Sequence, residues 1–148
     1  MRKKTPPPPT LQIPRAQLQL FRSKALATKN ECLAFLIGTI VKENDVITQV
    51  NVEELYYPQV VAGEDYVEWR PNDIVRLQAQ ILPRSIVGTL HSHPDYEPHI
   101  SKQDIVASEQ FGDVVCGIFS YWRPSGKRRR LTSLDWYYHF KMLECKII

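Results

Sequence analysis

Two of the chain's four histidines stand two residues apart in His91-Ser92-His93-Pro94, at the end of the apolar run Ser85 to His93. In an extended strand, side chains at i and i+2 share a face about 6 to 7 Å apart. Both imidazoles can therefore reach one ion. Further on, Ser101-Lys102-Gln103-Asp104 has the form of a helix start, with Asp104 in the first turn and the Ser101 hydroxyl at its edge. Two His and one carboxylate supply three nitrogen and oxygen ligands, which suits a single Zn2+ per chain with a fourth position left for water. An ion held so openly polarises a carbonyl and makes its water acidic, with a pKa near about 7, and a neighbouring Glu commonly carries the proton. Taken singly, Ser-x-x-Asp reads first as a helix cap and His-x-His as surface or core histidines. The two motifs together, at short fixed distance, carry the metal reading.

These motifs need a frame to hold them. Ser85 to His93 reads as a strand, Ser101 to about Gln110 as a short helix, and Val114 to Tyr121 and Leu131 to about Tyr138 as further strands. Upstream, Leu18, Phe21 and Ala25 behind Pro14 predict an amphipathic helix to about Lys29. Cys32 to Val41 is a continuous apolar run broken by Lys42-Glu43-Asn44-Asp45 before Val46 to Val50, the pattern of a hairpin with a buried first strand. Residues 53 to 71 read as polar and irregular. Asn72-Asp73 opens a second helix with Ile74, Leu77 and Ile81 on one stripe, ended by Pro83. Helices and strands without a βαβ rhythm predict an α+β fold, a mixed, curved sheet flanked by helices.

At 148 residues, with 43% apolar and 24% charged side chains, the chain has the size and composition of one folded domain. Pro6-Pro7-Pro8-Pro9 makes residues 1–12 an expected flexible arm, and 13–148 the domain. Three scattered cysteines, Cys32, Cys116 and Cys145, offer no paired metal or redox motif and read as reduced thiols. No run is long and apolar enough for a membrane span, and the start leads into prolines rather than a signal core, so the expected location is the cytoplasm. A net charge of +3 does not demand a polyanionic partner.

His91-Ser92-His93, seven residues, Ser101, two residues and Asp104 resembles the signature of the JAMM (MPN-plus) zinc isopeptidases, which include eukaryotic deubiquitinases and their bacterial, archaeal and viral relatives. The resemblance is to a stand-alone prokaryotic- or viral-type member. In that family a Glu precedes a glycine of an apolar strand by seven residues, and Glu31-Cys32-Leu33-Ala34-Phe35-Leu36-Ile37-Gly38 has this spacing. The resemblance implies an MPN-like, cytidine-deaminase-like architecture. It implies that His91, His93 and Asp104 bind zinc, that Glu31 is the general acid/base and that Ser101 helps hold the oxyanion. It further implies hydrolysis of an amide or isopeptide bond after the C-terminal tail of a ubiquitin-like or sulfur-carrier-like protein, by zinc-activated water. Ala34, at a position often glycine, and Thr89, where several relatives have an aromatic, depart from the pattern and bear on substrate choice. A non-catalytic scaffold or partner-binding module on the same fold is the alternative, and the complete ligand set argues against it.

Other features weigh less. Glu43, Glu53, Glu54 and Glu97 rival Glu31 on composition alone. His99 as a fourth ligand would close the site, and His139, among aromatics, reads as packing. Lys127-Arg128-Arg129-Arg130 reads as a hairpin tip ahead of a nucleic-acid contact. Tyr56, Tyr57, Tyr66, Trp69 and Trp122 could line a groove for an extended tail or pack around loops. Cys32, inside an apolar run, reads as inert rather than as a nucleophile.

Overall fold

The computed structural model describes residues 7–63, 67–69, 71–94, 115–124, 130–139 and 141–148. Ser101, Asp104, Tyr66, Glu97, His99, the expected helix from Ser101 and Lys127 to Arg129 lie outside them. In chain order the elements are β1 (Thr10–Ile13), α1 (Arg15–Leu26), β2 (Leu33–Glu43), β3 (Val46–Tyr56), β4 (Val60–Ala62), β5 (Val67–Trp69), α2 (Pro71–Ile81), β6 (Ser85–Pro94), β7 (Val115–Trp122), β8 (Leu131–Tyr138), β9 (Lys141–Met142) and β10 (Cys145–Ile147). Eight strands form one mixed sheet in the order β10-β1-β3-β2-β6-β7-β8-β9, curled into a half-barrel, and β4 pairs with β5 apart from it. This is the expected α+β arrangement, with a helix on each face.

The sheet's two faces are set by alternation along its central strands. Ala34, Leu36, Leu90 and Phe119 point to the side of α1, where Phe21 and Ala25 are buried among them. Leu33, Phe35, Ile37 and Ile86 point to the other side and take Leu77 and Ile81 of α2, with Ile74 packed at the edge. The α2 stripe is the one its sequence predicts. Each fully buried Leu, Ile or Phe contributes about 1.5 to 3 kcal/mol of transfer free energy, so the two stripes fix which face each helix covers.

The β2–β3 hairpin closes at Asn44-Asp45, both with positive φ (51° and 63°). A two-residue turn of this hand matches the twist of the strands, and Asn and Asp tolerate it better than most side chains. Two departures from expectation concern short elements. Thr10–Ile13 is not part of a free arm: it lies parallel to both β3 and β10, and Leu11 and Ile13 have no exposed surface. Thr10–Ile13 joins the sheet because alternate apolar residues find partners at Gln49 to Asn51 and Cys145 to Ile147. Residues 53 to 71, expected to be irregular, instead extend β3 to Tyr56 and supply the β4–β5 pair.

Cys32, Cys116 and Cys145 are free thiols. Burial pushes the Cys145 thiol up from its ordinary 9.0 to about 11 and the Tyr57 phenol from 10.0 to about 12. It raises Cys32 as well, against the nearby Lys24 charge and the hydrogen bond with Ser92, which act the other way. In each case the folded chain holds the proton more tightly than the unfolded one. The stability this represents is complete below pH 9 and is lost as pH climbs through the raised values. Urea midpoints should therefore fall between pH 9 and about 12, and a flat profile over that window would contradict the burial of these groups.

Candidate metal and catalytic site

β6 runs between β2 and β7, and its last residues carry the histidines. His91 lies opposite Leu33 of β2 and Ile118 of β7, and His93 opposite Ser120. These neighbours place both imidazoles on the α2 side of the sheet, while Leu90 and Ser92 point to the α1 side. The rings are buried, 7% and 6% exposed, and their Nε2 atoms face each other at 3.0 Å. Two facing ring nitrogens at this distance need a proton or a cation between them. Two imidazoles on one tetrahedral zinc, each at about 2.0 to 2.1 Å, would set their nitrogens roughly 3.3 Å apart. The pair fits that ion with a shift of a few tenths of an ångström.

Glu31 joins the pair by strand register. Antiparallel pairing of Leu33 with His91 is continued beyond β2 by a two-way clasp: the Ser92 N–H donates to the Cys32 carbonyl at 3.0 Å, and the Cys32 N–H donates to Ser92 Oγ at 2.8 Å. One residue further along each chain brings Glu31 opposite His93, with Oε1 3.8 Å from Nε2. The Glu31 N–H is itself tied to the Gly63 carbonyl at 2.7 Å, beside the β4–β5 pair. The Glu31 side chain is only 11% exposed. Its rivals are placed otherwise: Glu53 and Glu54 are about half exposed and share the Arg84 guanidinium, and Glu43 is exposed at the hairpin end.

The described residues thus bring together His91, His93 and Glu31 of the five expected site residues. Among them, no group of three or more His, Cys, Asp and Glu side chains forms a metal-holding cluster. The two nitrogen donors stand ready, and the third expected ligand, Asp104, and the expected oxyanion donor, Ser101, belong to the segment outside the description. Two residues that sequence reasoning passed over stand beside the site. Ser92, only the spacer of the motif in sequence, carries the clasp that holds Glu31 in register. Ser120, 1% exposed and in register with His93, keeps a buried hydroxyl without a hydrogen-bond partner among the described residues. The strand alternation of SIVGTLHSH is the signal that could have singled out Ser92, and nothing local marks Ser120.

The expected aromatic groove divides between the faces. Tyr57 stacks on Phe21 under α1, and Tyr56, paired with Phe35, is exposed on the other side. His139 is not packed in a core. It is exposed in the left-handed region after β8, its ring edge-on to Tyr138.

The curled sheet, the helices described on its two faces and the paired histidines at the end of a central strand define a JAB/MPN-type domain. The model for prokaryotic homologs of the JAB domain matches residues 14–133, and the chain belongs to that family. The family includes hydrolases as well as inactive members, and often binds zinc. Among solved structures, the chain is similar to a Desulfitobacterium hafniense protein determined in solution, at 15% identity and TM-score 0.62, covering 93% of this chain and 92% of that one. It is similar also to a JAB1/MPN domain protein from Archaeoglobus fulgidus, at 21% identity and TM-score 0.53, covering 92% and 97%. Both likenesses show the fold. No curated protein matches the sequence significantly. Among the described residues, no helix is long and apolar enough to cross a membrane.

Proposed function

We propose that the protein is a zinc-dependent hydrolase of an amide or isopeptide bond, acting behind the C-terminal tail of a ubiquitin-like or sulfur-carrier-like protein. The observation that carries this reading is the convergence of the His91 and His93 Nε2 atoms beside a nearly buried Glu31 carboxylate. A purely structural polar cluster would not need two facing imidazole nitrogens with a carboxylate beside them.

In this reading His91, His93 and Asp104 would hold the metal. Zinc, when bound, supplies a Lewis acid for the scissile carbonyl and an acidified water. Glu31 Oε1, opposite His93, would take the proton from the attacking water and return it to the leaving amine. The Ser101 hydroxyl donates to the developing oxyanion. Ser92 keeps Glu31 aligned through the strand clasp. No covalent link between chain and substrate is required.

The test couples metal content to cleavage. Elemental analysis of protein purified without chelator should give close to one zinc per chain, and His91→Ala or His93→Ala should each lower occupancy at least about tenfold, since lost ligands cost zinc sites heavily. A panel of ubiquitin-like and sulfur-carrier-like fusions should be cleaved in a chelator-sensitive way. Full zinc with no cleavage of any member would favour the scaffold reading, and absence of zinc would defeat the hydrolase reading outright.

A further inference from the structure

The face opposite the histidines holds a second surface with its own chemistry. The chain's first thirty residues contain seven Lys and Arg and no Asp or Glu, and residues 123–130 contain five more cations and no acid. Of the nineteen Lys and Arg, twelve therefore fall in two short segments far apart in sequence. The fold brings the described parts of both to one place. Arg22 of α1 donates to Thr132 Oγ1 of β8 at 3.2 Å and lies over the Phe119 ring, Arg130 lies over Tyr121, and Tyr121 donates to the Thr28 carbonyl just past α1. Between α1 and β7–β8 runs a groove of about 390 Å³, bordered by Arg15, Gln19, Arg22 and Thr132 over a floor that includes Leu18 and Leu134. No acid lines it. Arg15 and Arg22, both exposed, stand seven residues apart on one helix and so on one side of it. Ile147, an apolar side chain 44% exposed, lines the same groove.

The combination selects among anionic partners. A single-stranded nucleic acid would ask for open aromatic faces on which bases stack, in addition to cations. Here the aromatics are shut: Phe21, Phe119 and Tyr121 are 1%, 4% and 3% exposed, and guanidinium groups already cover the faces of Phe119 and Tyr121. An apolar floor with guanidinium groups on its rim instead complements a chain that alternates carboxylates with apolar side chains, because guanidinium pairs well with carboxylate and the floor removes apolar surface from water. We infer that the groove between α1 and β7–β8 docks an acidic polypeptide segment bearing apolar side chains, presented by a partner protein, on the face of the sheet away from His91, His93 and Glu31. This docking is independent of the hydrolase reading and can hold if that reading fails.

Fluorescence anisotropy of the full chain with short labelled peptides tests it. A peptide alternating Glu and Leu should bind. Peptides alternating Gln with Leu or Glu with Ser, and a thymidine oligonucleotide of equal charge, should each bind at least about tenfold more weakly, a difference of about 1.4 kcal/mol. Raising the salt should weaken the Glu/Leu complex. Replacing both rim arginines (R15E with R22E) should weaken it by about tenfold or more while the thermal midpoint stays near that of the parent. If the reversed pair does not fold, R15Q with R22Q carries the same comparison. The inference is overturned if the oligonucleotide matches the Glu/Leu peptide, if Glu/Ser binds as well as Glu/Leu, if no peptide binds, or if neither arginine pair affects the affinity.

Discussion

Glu31→Gln should leave one zinc per chain and an unchanged melting midpoint, yet lower the cleavage rate by about 10² to 10⁴, the range ascribed to a positioned acid/base. The reasoning is spatial. Glu31 Oε1 lies 3.8 Å from His93 Nε2, beside the paired imidazoles. Gln keeps the size of the side chain and the Glu31 N–H bond to Gly63, so the strand clasp through Cys32 and Ser92 survives. What is lost is the ability to accept and return a proton. A merely structural Glu31 would show itself differently: its replacement would shift the melting midpoint or the zinc content and spare turnover of the remaining folded protein. Retention of the parental rate by Glu31→Gln at full zinc would remove the residue from the chemistry and return the choice to the remaining carboxylates.

Particular residues show why parts of this molecule are readable from sequence. β2, β6 and β7 are central strands with long apolar runs, so Leu33 to Ile37, Ile86 to Leu90 and Val115 to Phe119 reveal themselves through composition. β8 follows the limits its sequence suggests, Leu131 to Tyr138. Thr10–Ile13 does not, because four residues behind four prolines have no local signal. They become a strand only through β3 and β10, neighbours remote in the chain. Val60–Ala62 and Val67–Trp69 are too short to stand out from their polar surroundings. At the site, the i, i+2 spacing of His91 and His93 translates directly into shared facing. Glu31 is legible only from its distance to Gly38, since what seats it opposite His93 is the pairing of two strands sixty residues apart, and pairing is a tertiary property.

That distance has a structural cause, and its failure is the other large effect expected. Gly38 sits where β2 passes β3 with a register shift between Ile37 and Gly38, and a second shift against β6 falls between Leu36 and Ile37. A Cβ built on Gly38 would lie 1.8 Å from the Asn51 carbonyl oxygen and 2.9 Å from its carbon. Both are backbone atoms of the strand paired with β2, so no side-chain rotation relieves the contact. Either the β2–β3 ladder opens or the bulge moves. Gly38→Ala should therefore cost about 4 kcal/mol or more, beyond ordinary point substitutions, and lower the melting midpoint by roughly 10 °C. Thr39→Ala, at the exposed next residue, should stay near the parent. Moving the bulge by one residue would also exchange the faces of β2 on one side of it. If β2 slipped past β6 by that one residue, Cys32 and not Glu31 would face His93. Folded Gly38→Ala protein should accordingly lose cleavage beyond its loss of stability, whereas an unshifted midpoint with parental cleavage would mean that the glycine does not hold the register that seats Glu31.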